Sequence, residues 1–165
     1  MPQYISMTAT HISTPAPVAN KTLAVWLALV LGPLGIHQFY VRGVGSVWGW
    51  LHWPVTLLGA VGFRLVLLEG TDNQAVWVLL PLLGVALAVP CLTAIVWALS
   101  PPERWNQRFN PSAPANHLAG ATRPLTVWAV VPALLVGAVA LTSSLVISFQ
   151  GYFEAQVQAA RAISQ

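Results

Sequence analysis

TLAVWLALVLGPLGIHQFYV, residues 22–41, runs through only Arg42 and Gly43 into VGSVWGWLHWPVTLLGAVGFRLVLL, residues 44–68. Twenty apolar residues at a rise of about 1.5 Å each just cover a hydrocarbon core of about 30 Å. The second half of the first stretch is interrupted by Gly32, Pro33, Gly35, His37 and Gln38. The pattern predicts a straight helix to about Leu31, then a kink or a short second piece ending near Tyr40. The second stretch is long enough to span and holds one charge, Arg64, near its end. An arginine there can run its aliphatic stem through lipid and leave its head among headgroups. Two spans joined by two residues must be neighbours, so a tight antiparallel hairpin is expected.

Composition extends the same reading to the whole chain. Of 165 residues, 56% are apolar and 7% charged, with a mean hydropathy of +0.69. A soluble domain carries about 25% charged residues, and this chain has too few to coat a water-facing surface. Net charge is +3, from seven basic and four acidic side chains. With no Lys/Arg cluster, nucleic acid is not an expected partner; the lipid bilayer is. Two further apolar segments follow, residues 75–99 and 125–149. The first contains Pro81 and Pro90, tolerable where neighbouring helices re-satisfy the freed carbonyls. The second carries Gly137, Ala138, Ala140, Ser143 and Ser144, small residues suited to close helix contact.

The expected fold is therefore an all-α membrane protein with four transmembrane helices in a compact up-down bundle. Residues 1–20 read as a disordered polar tail and 21–68 as the helical hairpin. Residues 69–99 bring the third membrane helix, 100–124 a polar Pro-rich linker, 125–149 the fourth helix and 150–165 a polar C-terminal tail. Four spans put Lys21, Arg64 and Arg161 on one side and Arg42, Arg104, Arg108 and Arg123 on the other. Basic residues favour the cytoplasmic side, which would place the linker inside and both termini outside.

Candidate chemistry is sparse. His37 and His52 could bind a metal or relay protons, but each would need carboxylate or thiolate company that the sequence does not place at their depth. His52 lies in WGWLHWP among Trp48, Trp50 and Trp53, which favours an aromatic cluster. Arg64, near Glu69 and Asp72, is the one charge at a membrane boundary to suspect. The single cysteine, Cys91, sits beside Pro90 and reads as a small hydrophobe. No nucleophile–base pair, paired carboxylates or phosphate-cradling loop is present in the pattern, so neither catalysis nor a cofactor or metal is expected. The expected role is helix packing with itself or a membrane partner. The alternative is a small transport or channel component, for which His37, Gln38, His52, Thr56 and Thr93 offer a thin polar path.

One motif adds to this. Lys21–Gly45 reads KTLAVWLALVLGPLGIHQFYVRGVG and resembles the TM-two (two-transmembrane) domain family. The first helix of that family typically ends in Gly-x-x-Gly-x-His-x-Phe-Tyr, matched here by Gly32, Gly35, His37, Phe39 and Tyr40. The resemblance covers about residues 20–68. It departs where Arg42 stands in place of a usual Gly, and no closing Trp and Asp pair ends the second stretch. It implies a helical hairpin in a small membrane protein, many such proteins being bacterial and hence of the inner membrane, with no shared enzymatic activity. On physical grounds alone, Gly32 and Gly35 permit a kink and close backbone approach, and Phe39 and Tyr40 suit an interfacial belt.

Overall fold

The computed structural model describes residues 18–164; the expectation for the N-terminal tail falls almost wholly outside them. Within the described residues every regular element is helical. Three helices are long and apolar enough to cross a membrane: α3 (Val47–Glu69), α4 (Gln74–Leu99) and α7 (Val130–Ile163). That composition and length fit a multi-pass membrane protein. Helix α4 runs unbroken through Pro81 and Pro90. Helix α7 continues the fourth apolar segment into the polar end without interruption, so at about 1.5 Å per residue it reaches about 50 Å and outruns a bilayer core.

The first apolar segment differs from the expectation of a spanning helix. It is divided into α1 (Lys21–Leu31), a 3₁₀ turn at Gly32–Leu34 and α2 (Ile36–Arg42). Eleven residues in α1 reach only about 16 Å, half of a hydrocarbon core. The chain then reverses. Gly35 adopts φ +71°, a left-handed conformation that only glycine takes without cost, and its N–H closes the turn on Gly32 O. Helix α2 comes back alongside α1, so that the Asn20 N–H donates to the Tyr40 hydroxyl at 2.9 Å. Both ends of this short hairpin thus lie at one level. Its apex sits at Gly32–Gly35, not at Arg42–Gly43 where two full-length helices would have met.

The three long helices are antiparallel neighbours, with α4 between the other two. Gly59 and Gly62 of α3 press on the backbone of Leu83 and of Leu79–Leu80. On another face of α4, Gly84 meets Ser144, Cys91 meets Gly137 and Trp77 meets Gly151. Helices α3 and α7 pack on α4 far more than on each other. The result is an open array with α4 at its centre rather than a closed four-helix bundle. In lipid this arrangement rests on close van der Waals approach, which explains why glycine or serine stands at each crossing.

The linker, residues 100–124, is an ordered cap. It forms α5 (Pro102–Phe109), a 3₁₀ turn at Leu118–Gly120 and α6 (Pro124–Trp128), leading into α7. Trp105, Asn106 and Asn110 are buried within it. The Asn110 side chain accepts from Ala19 N–H at 2.7 Å and donates to Ala19 O at 3.1 Å, pinning the chain just before α1. Trp105 Nε1 donates to the same carbonyl. Lys21, fully buried, donates to Ser100 O at 2.6 Å and Thr122 Oγ1 at 2.7 Å. Burial pulls the Lys21 pKa below the ordinary lysine value, with the Glu103 carboxylate pulling the other way.

Candidate functional site

The motif residues all sit at the short hairpin, and packing accounts for most of them. Gly32 lies against the Pro90 ring of α4, where a side chain would collide. Gly35 faces the Gly49 carbonyl at the start of α3, and Gly49 in turn leaves room for the Phe39 ring. Phe39 also meets Trp50 edge-on at 5.3 Å between centroids. The Pro33 carbonyl, near the hairpin apex, accepts from Thr56 Oγ1 at 2.6 Å, which ties the apex to α3. Tyr40 closes the far end of the hairpin through Asn20. Arg64 lies apart from these residues, exposed on α3. Among the described residues it forms no hydrogen bond or ion pair with Glu69 or Asp72; Glu69 instead accepts from Asn73.

His37 is different. It is completely buried, with its ring 5.2 Å from that of His52 and 5.6 Å from that of Trp97. The two imidazoles are therefore neighbours, one from α2 and one from α3. His52 Nδ1 lies 2.6 Å from Trp48 O. A carbonyl only accepts, so the proton is on Nδ1 and Nε2 is a bare acceptor. His37 Nε2 lies 3.2 Å from the Gln38 amide nitrogen. An amide nitrogen only donates, so His37 carries its proton on Nδ1. Three buried atoms then lack partners: His37 Nδ1, Gln38 Oε1 and His52 Nε2. Unpaired buried polar atoms each cost about 1–3 kcal/mol, and this cluster gathers one donor, His37 Nδ1–H, with two acceptors.

A groove of about 380 Å³ opens beside this cluster. Gln38 and His52 form part of its floor, Leu92, Val96 and Trp97 of α4 its apolar wall, and Arg42 and Arg108 its mouth. Sequence reasoning grouped His37, Gln38 and His52 in one thin polar path but missed Arg108 and Trp97 as their companions. Those two lie about sixty residues further along, and no local spacing links them to the motif. Comparison with protein-family models, with curated proteins and with solved structures gives no match for this chain.

Proposed function

We propose that this chain is a non-catalytic, multi-pass membrane protein of the TM-two type, acting through helix packing with a second copy or a membrane protein partner. The observation that carries this reading is the open helical array. Helix α3 packs on α4 through Gly59 and Gly62 and on the short hairpin through Gly49, and leaves Trp50, Leu57, Val61 and Leu67 uncovered. Helix α7 likewise turns Leu135, Val139 and Val146 away from its neighbours. Lipid can cover such faces, but two flanking helices that fail to close on each other also leave room for a further helix.

In this reading α1 and α2 form a re-entrant hairpin that enters and leaves on the linker side. Lys21, Arg42, Arg104, Arg108 and Arg123 then share that side, against Arg64 and Arg161 on the other. Five against two is a stronger bias than four spans would give. It favours a cytoplasmic linker and N-terminal end, as in a bacterial inner membrane, with the end of α7 outside. A transport role draws support from the His37–His52 cluster alone. Beyond Thr56 the α3–α4 seam is filled by Gly59 and Gly62 against leucines, which offers no continuing polar path.

Co-expression of two differently tagged copies, followed by purification in mild detergent, tests the packing role. Recovery of the second tag, or of a stoichiometric membrane protein, is the expected result. A chain that purifies alone and runs as a monomer at every concentration would contradict it.

A further inference from the structure

The groove beside His37 combines features that helix packing does not need. Arg42 closes α2 and Arg108 sits near the end of α5, and both guanidiniums reach the same mouth. Among the described residues neither has a carboxylate within ion-pair distance. Burial, and after it the Arg108 charge, press the Arg42 pKa below its ordinary value. Below them, Gln38 is only 8% exposed, and its Oε1 has no donor. His52 Nε2 is likewise unpartnered, and both atoms are enclosed rather than open to the groove. The wall is apolar, formed by Leu92 and Val96 on the outward face of α4.

We propose that this groove binds one molecule of an anionic phospholipid. The phosphate diester sits between Arg42 and Arg108, where two guanidiniums supply charge-assisted hydrogen bonds. An acyl chain lies along Leu92 and Val96. A phosphate alone would meet the arginines but not the wall, and a zwitterionic lipid would bring a choline cation toward two arginines. The site rests on the membrane placement proposed above, because the groove must open at a lipid surface; it does not require a second copy or a partner.

Phosphatidylglycerol, phosphatidylcholine and inorganic phosphate, each titrated into delipidated full-length protein in a neutral detergent, distinguish the ligand sources. Bound lipid is counted by native mass spectrometry and stabilisation is read from the thermal midpoint. One phosphatidylglycerol should be retained per chain, with a midpoint several degrees higher, and neither of the other two should match it. The Arg42→Ala/Arg108→Ala double variant should lose at least tenfold in affinity, while Arg64→Ala/Arg161→Ala, which removes the same charge elsewhere, should bind normally. Leu92→Trp, which fills the groove from an exposed position, should also lose binding and serves where the double variant fails to fold. Equal retention of phosphatidylcholine means a non-selective lipid coat and overturns the proposal. So does an equal shift with inorganic phosphate, or unchanged binding in both the arginine double variant and Leu92→Trp. None of these outcomes depends on whether the chain self-associates, so a failed co-purification and a failed lipid titration are separate results.

Discussion

Gly35→Leu is expected to cost about 3–5 kcal/mol, enough to remove most folded protein from the membrane. Two effects combine. The residue sits at φ +71°, where a Cβ clashes with its own backbone. The same Cβ would point into the Gly49 carbonyl, which belongs to the backbone of α3 and cannot rotate away. The hairpin apex would have to separate from α3, and the Thr56 bond to the Pro33 carbonyl would be lost with it. Gly70→Leu is the matched control. Gly70 also has a positive φ, of 76°, but nothing lies within 4 Å of where its Cβ would be. Its ψ of −158° lies outside the left-handed helical region, in one that glycine alone takes readily, so it should lose only that backbone cost, about 1–3 kcal/mol. Folded yield after detergent extraction, with thermal midpoints of what survives, compares the two. Equal losses would mean that backbone strain, not the contact with α3, sets the requirement for glycine.

Asn110→Leu should have the second-largest effect, about 2–4 kcal/mol. Its side chain satisfies the Ala19 N–H and C=O together and donates to Asn106 Oδ1 at 3.0 Å, all in a buried setting. Leucine would fill a similar volume yet strip the Ala19 N–H of its acceptor, and a buried amide without a partner is costly. The exposed Asn116→Leu in the same linker should change stability by less than about 0.5 kcal/mol. The thermal midpoint of purified protein reads both. An unaffected Asn110→Leu protein would mean that the linker does not anchor the start of α1.

These two residues also mark where the sequence could be read and where it could not. Three long apolar runs announced α3, α4 and α7, because length and composition are what a spanning helix requires. Small residues such as Gly137 and Ser144 were legible as contact sites for the same reason. The first segment misled because residues 22–41 number twenty, and a count cannot separate one crossing from two half-crossings. Gly32, Pro33 and Gly35 did signal a break, but whether a break bends or reverses the chain depends on what receives the apex. Here that is Pro90 and Gly49, distant in sequence. The linker was read only as polar and Pro-rich from its Asn, Arg and Pro content. Asn106 and Asn110 are polar because they pair with buried backbone, a role that composition cannot tell from solvation. Likewise Gln38 and His52 share a groove with Arg108, which lies in the linker, so that grouping was out of reach of local spacing.

Sidedness of the N-terminal end relative to the linker is the most direct measurement. Single cysteines at Val18, Asp72 and Asn116, in a chain whose native cysteine is replaced (Cys91→Ala), can be probed in intact cells or sealed vesicles with a membrane-impermeant thiol reagent. A re-entrant hairpin followed by three crossings places Val18 with Asn116 on one side and Asp72 on the other. Labelling of Val18 together with Asp72, and opposite to Asn116, would mean that residues 22–41 cross the membrane and that the chain has four spans.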